Sequence, residues 1–248
     1  MFKLFLLAPV CFLFLFVFSQ DKPIIKYYDS LWSPTSKESA FYYTEFIRLD
    51  TIYNCFSYWV KTKKLNCESI FADTLFTRPL GLLLRYYENG QVQDSSYFYE
   101  SGEIKNTYHY YQSGKLWAHY IYDKRTKKEN TEGFDEQGKL IKDFVYMREA
   151  EFSGGNDAWI SFLTQNLKTN TPIKNHAPVG VYQIVITFIV DKNGRILNIK
   201  PETNFGYGME DEAMRVIRKS PRWNPLILLG EARNAYRRQP VTFVVTDK

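Results

Sequence analysis

An aromatic residue returns every twelve positions, at Tyr86, Phe98, Tyr110, Tyr122, Phe134 and Tyr146. The best rows read Tyr86-Tyr87-Glu88-Asn89-Gly90-Gln91-Val92, Phe98-Tyr99-Glu100-Ser101-Gly102-Glu103-Ile104 and Tyr110-Tyr111-Gln112-Ser113-Gly114-Lys115-Leu116. Phe134-Asp135-Glu136-Gln137-Gly138-Lys139-Leu140 restores the pattern after a degenerate row at Tyr122-Asp123-Lys124. A fixed short period demands one structural unit per repeat. The glycine follows Asn, Ser or Gln and supplies the positive φ of a turn. About nine residues remain between turns, enough for one strand. The pattern predicts a β-meander with one strand per row. Ile104, Tyr108, Tyr110, Leu116, Ala118, Tyr120 and Tyr122 fall on one face, and Thr107, His109 and Tyr111 on the other. The first set is an aromatic and aliphatic stripe. It reads either as the meander's core or as a Tyr-rich binding face.

Upstream, Phe46 to Tyr53, Cys55 to Val60, Leu65 to Leu75 and Gly81 to Tyr87 read as further strands, rich in aromatic and aliphatic residues. The rows over residues 81–146 resemble the MORN-type repeat in its short form. The resemblance implies contacts with proteins or membrane surfaces rather than catalysis. Lys124-Arg125-Thr126-Lys127-Lys128 replaces the missing glycine turn and reads as a solvated loop or an anionic-lipid contact.

The last hundred residues follow a different pattern. After Phe152-Ser153-Gly154-Gly155, the residues Trp159, Ile160, Leu163 and Leu167 recur at helical spacing, with Asn156 as candidate cap. Gly180 to Val190 is β-rich, Asp191-Lys192-Asn193-Gly194 reads as a hairpin turn, and Arg195 to Ile199 pairs back. Met209 to Ser220 reads as a second helix, with Glu210, Asp211 and Glu212 in its first turn and Arg215, Arg218 and Lys219 in its last turns. Pro240 to Val245 is a final strand.

This ordered set resembles the C-terminal domain of TonB-type energy transducers over residues 150–246. The matching residues are Gly154-Gly155, the Gly180 to Gly194 hairpin, Glu212-Ala213 with Val216-Ile217, Pro221-x-Trp223-x-Pro225, and Pro240-Val241-x-Phe243. Leu226 replaces the family's usual glycine, and Gly230-Glu231-Ala232-Arg233 alters its turn before the last strand. The resemblance implies an open sheet edge that takes an extended segment of an outer-membrane receptor as an added strand. The edge would comprise Arg237, Arg238, Gln239, Pro240, Val241, Thr242, Phe243, Val244 and Val245. Arg237-Arg238 reads equally as charge that discourages unwanted pairing.

The expected class is α+β: an antiparallel meander built from repeats, then a small TonB-like domain of three main strands with two helices. The expected domains are 1–19, 20–147 and 148–248. Lys3 precedes an apolar run from Leu4 to Phe18, with Val17 and Ser19 before Gln20, which predicts a cleaved signal peptide. As a helix the run spans about 22 Å, short of a bilayer core of about 30 Å. Cleavage places the protein in the periplasm or cell envelope; an uncleaved segment would anchor it in the inner membrane, facing the periplasm. Export permits disulfides, and two readings of Cys55 and Cys67 stay open: a bridge across a hairpin centred at residue 61, or two buried free thiols.

The net charge of +5 is too mild for a nucleic-acid-binding surface. His109, His119 and His176 come with no convergent carboxylates, so no metal and no cofactor are expected. No nucleophile elbow, P-loop or zinc-protease motif occurs, so no enzyme is expected. The expected function is partner binding by the TonB-like domain in TonB-dependent transmembrane transport or energy coupling. The alternative is a non-transducing periplasmic scaffold built on the repeats, which allows a homodimer.

Overall fold

A computed structural model describes residues 22–246. The expected export segment, residues 1–19, lies outside the described residues. Packing divides the described residues into two units, 22–115 with 122–127 and 116–121 with 128–246.

Nine strands form one antiparallel sheet in sequence order. They are β1 (Ile24–Tyr28), β2 (Tyr42–Leu49), β3 (Ile52–Trp59), β4 (Leu65–Phe71), β5 (Pro79–Tyr86), β6 (Val92–Phe98), β7 (Ile104–Tyr110), β8 (Leu116–Asp123) and β9 (Lys128–Gly133). The repeat turns explain the period. Tyr87 N donates to Gln91 O and Gly90 N to Tyr87 O, both at 2.8 Å, and Tyr99 and Tyr111 open the same turn. Gly90, Gly102 and Gly114 sit at φ +87, +84 and +82, the left-handed position of a three-residue hairpin loop with a bulge. The ladder slips there, at Arg85/Tyr86 and Tyr97/Phe98. A seven-residue strand such as β7, with the five turn residues Tyr99 to Glu103 before it, makes the twelve.

The second aromatic of each row has its own task. Tyr87 Oη donates to Tyr110 O at 2.8 Å, and Tyr99 Oη to Tyr122 O at 3.2 Å. Each hydroxyl ties one turn to the next turn along the same end of the sheet. The aromatic stripe is not the buried centre of β7. Ile104 is 44% exposed and Tyr108 and Tyr110 are half-buried, while Thr107 is buried. Short polar side chains line the buried face and satisfy each other across strands: Thr44 with Ser57 at 2.8 Å, and Ser96 with Thr107 at 3.0 Å. The expected strand from Phe46 to Tyr53 is cut in two, because Asp50 turns left-handed at φ 57 between β2 and β3.

In the second unit, β10 (Met147–Arg148) is followed by α1 (Gly155–Asn166), α2 (Thr171–Lys174), β11 (Gly180–Val190), β12 (Ile196–Pro201), α3 (Met209–Lys219), β13 (Leu226–Leu228), β14 (Glu231–Arg233) and β15 (Ala235–Val245). Two sheets form, β12-β11-β15 and β10-β13-β14. The core joins Ile184, Ile186, Phe188 and Val190 of β11 to Trp159 of α1, Met209, Ala213 and Ile217 of α3, and Val241 and Phe243 of β15. Gly154 caps α1 at φ 93, two residues before the expected Asn156, and Ile160 of the expected stripe is 52% exposed. Phe152 and Phe162 take its place in the aromatic cluster around Trp159.

The acids of α3 act on neighbouring chain as well as on the helix terminus. Glu210 accepts Phe205 N at 2.7 Å, while Glu212 accepts Lys168 N at 2.7 Å and two donors of Arg215 at 2.7 Å each. The altered segment before the last strand forms a hairpin of its own. Leu229 and Gly230 turn at φ 53 and 78 between β13 and β14.

The α+β class is corrected. Among the described residues, fifteen strands stand against α-helices of 12, 4 and 11 residues, the helical share is 13%, and the structure is mostly β. The two expected helices are the 12-residue α1 and the 11-residue α3, and class follows the share of residues rather than the order of elements.

Candidate functional site

The edge named from sequence lies on β15. This strand pairs with β11 along its whole length, from Gly180↔Val245 to Val190↔Ala235, and has no other sheet neighbour among the described residues. Side chains alternate: Ala235, Val241, Phe243 and Val245 are buried, while Tyr236, Arg238, Pro240, Thr242 and Val244 are exposed. The backbone alternates as well. Glu202 N donates to Val185 O at 2.8 Å, and Val185 N to Thr203 Oγ1 at 3.1 Å, so Val185 bonds away from β15. Its partner Pro240 therefore points outward, and with the two-residue alternation of an antiparallel ladder so do Thr242 and Val244. Gln239, Val241 and Phe243 bond inward to β11. Proline lacks an N–H and suits an outward position on an edge.

The two arginines are occupied within the chain. Arg238 Nε meets Glu202 at 2.6 Å, and Arg237 meets Glu149 at 3.4 Å and donates to Ala150 O. Any strand added here relies on main-chain groups from Gln239 to Val245. Trp159 Nε1 donates to Gln239 Oε1 at 3.0 Å and fixes the inner side of the edge to α1.

Cys55 and Cys67 are free thiols. The register places Ser69 opposite Cys55 and Ser57 opposite Cys67, so the cysteines are diagonal neighbours on one face. Diagonal separations of about 7–8 Å exceed disulfide reach. The hairpin turns one residue later than position 61, with Lys63 left-handed at φ 55, and that moves the pairing by two. Burial pushes Cys55 up to about 12, with Cys67 adding to the rise. Burial likewise pushes Cys67 up to about 12, against a downward pull from Arg85. Both are neutral and unreactive at physiological pH.

Sequence reasoning missed a row of polar groups across four strands of the first unit. Cys67 of β4 faces Arg85 of β5, Arg85 faces Asp94 of β6, and Asp94 faces His109 of β7. Arg85 and Asp94 stand 4.0 Å apart. Burial raises Asp94 above the ordinary carboxylate range while Arg85 pulls it back. Burial lowers His109 to about 4, and Arg85 adds to that. The signal was in the sequence only as period-2 alternation on neighbouring rows.

The row predicts an acid response. His109 is neutral in the fold, whereas the unfolded chain takes up its proton near 6.5. Stability from His109 is therefore present above about 6.5 and is lost as pH falls toward 4, by about 3 kcal/mol at most. Asp94 runs the other way, since a raised carboxyl favours the fold more as pH falls. Urea denaturation at pH 7 and pH 4.5 should show a smaller pH loss in His109→Asn than in the parent.

No family model matches the chain, and no curated protein matches it. Among solved structures, it is similar to a mutant of S. aureus TarM in complex with fondaparinux, α-GlcNAc-glycerol and UDP. The identity is 13%, over 44% of this chain and 21% of that one, at a TM-score of 0.26. It is also similar to a GtfA/B complex bound to UDP and GlcNAc, at 10% identity, over 46% of this chain and 26% of that one, with a TM-score of 0.23. The chain thus spans about a quarter or less of those proteins' length. Likeness at these scores carries no argument, and function has to be argued from the chain's own residues.

Proposed function

We propose that this is an exported cell-envelope protein whose C-terminal unit binds a segment of an outer-membrane receptor by strand addition to β15, in TonB-dependent transport or energy coupling. One observation carries the reading. An eleven-residue strand has a single neighbour and turns the backbone of Pro240, Thr242 and Val244 away from it. The ordered residues that resemble TonB-type domains supply the class of partner. The repeat unit presents or positions the binding unit.

Outward and inward positions separate the test from simple unfolding. Val241→Pro removes an N–H bonded to β11 and disrupts the unit itself. Thr242→Pro removes only an outward donor, in the register where Pro240 already sits. Synthetic peptides matching receptor N-terminal extensions should bind the full chain, and Thr242→Pro should weaken them about tenfold with an unchanged unfolding midpoint. Binding that ignores Thr242→Pro would favour the scaffold reading.

A further inference from the structure

A cleft of ≈ 870 Å³ lies over the buried face of β3 to β5, entirely within the first unit. That volume falls in the range of about 300–1,000 Å³ typical of small-molecule sites. Phe71, Leu83 and Phe98 line it from the sheet, together with Tyr28, Trp32 and Phe76.

Two loops of the same design make its lips. Asp29-Ser30-Leu31-Trp32-Ser33 and Asp73-Thr74-Leu75-Phe76-Thr77 share one pattern 44 residues apart. In each, the aspartate Oδ1 accepts two backbone N–H groups: Leu31 at 2.8 Å and Ser33 at 2.9 Å, then Leu75 at 2.7 Å and Thr77 at 3.2 Å. Asp135 and Asp191 cap comparable turns, and there the fourth residue is Gly138 or Gly194, at φ +83 and +77. The lips carry Trp32 at φ 62 and Phe76 at φ 59 instead. A bulky left-handed residue costs about 1–2 kcal/mol that glycine would not. Local strain of this kind gathers at ligand clamps. The two rings meet edge to face at 6.2 Å, while Leu31 and Leu75 project outward, 83% and 72% exposed. Lys26 Nζ holds the second lip to β1 through Thr74 O at 2.9 Å and Thr74 Oγ1 at 3.1 Å.

The lining is apolar except at a few points, and its charges have one sign. Lys26 and Arg85 line the cleft, and no carboxylate does. Lys26 spends its donors on neutral oxygens of Thr74, and the Arg85 side chain is 56% exposed with Asp94 only at 4.0 Å. Cys67, Asp94 and His109 are the titratable groups that share its row, and the thiol and imidazole are neutral at pH 7. A guanidinium in this setting suits a carboxylate. Trp32 already stacks on Tyr42 at 4.4 Å, and Phe76 packs on Phe71 at 5.1 Å, so the ring faces are covered and leave no slot for a flat ring. A flexible chain fits their edges better.

We propose that this cleft binds an acyl carboxylate, its chain along the edges of Trp32 and Phe76 and its head group on Arg85. The site is separate from β15 and stands without the strand-addition reading.

Calorimetric titration of the full chain with decanoate and with decanol at pH 7.5 tests it. Decanoate should bind, and decanol, the same chain without charge, should bind at least about tenfold more weakly. Arg85→Gln should bring the two within about threefold, and Arg85→Lys should keep the preference. Trp32→Gly should weaken both ligands while relieving backbone strain. Equal binding of the two ligands by the unsubstituted protein, or binding of neither, would overturn the proposal. So would a preference that survives Arg85→Gln. Should Arg85→Gln fail to fold, the comparison on the unsubstituted protein decides alone.

Discussion

Gly194→Ala is expected to destabilise the C-terminal unit by about 4 kcal/mol or more, beyond the common range for single substitutions. Two effects add. Gly194 sits at φ +77, where a side chain is strained, and a Cβ there would fall 2.0 Å from Trp223 O and 3.3 Å from Trp223 N. The obstacle is backbone, and it cannot swing aside. The same segment is held in place, since Trp223 N donates to Gly194 O at 2.9 Å. Moving it also pulls the Trp223 ring from its edge-to-face contacts with Phe152, Trp159 and Phe188. Gly90→Ala is the control. It has a similar φ of +87 and nothing within 4 Å of its Cβ, so it should cost only about 1–2 kcal/mol. Urea unfolding followed by tryptophan fluorescence reads both.

Phe46→Ala is expected to cost the first unit about 3–5 kcal/mol. The ring is fully buried, packs on Phe76 at 5.1 Å and Tyr53 at 6.5 Å, and lies under Lys26 Nζ at 5.6 Å. Its neighbours in the buried cluster are Cys55, Phe71 and Leu83, a smaller core than the one around Trp159. The buried apolar cluster of the first unit is small, so one lost ring removes a large part of its apolar burial. Scanning calorimetry should show the lower of its transitions falling by several degrees.

The repeat was legible because its turn chemistry is local. A glycine that must be left-handed, placed five residues before the next strand's middle, sets strand length and direction together. The Asn193-Gly194 hairpin and the Met209 helix were legible for the same reason. The centre of the sheet was not. Alternation places Thr107 opposite the aromatic stripe, but it does not reveal which face closes, and the buried face proved to be the one with the short polar residues. The cleft stayed hidden because Leu75 reads as the end of a strand and Phe76 follows it unassigned. Only the aspartate cap and the left-handed φ turn them into a lip. The diagonal cysteines show how little it takes: one residue of turn position decides whether two thiols meet.

The most direct measurement is residue-resolved amide exchange on the full chain, with and without a receptor N-terminal peptide. Strand addition predicts new protection at Thr242 and Val244, which bond outward, and little change at Val241 and Phe243, already bonded to β11. Protection that appears elsewhere, or a bound peptide that leaves Thr242 and Val244 exchanging as before, would contradict the account.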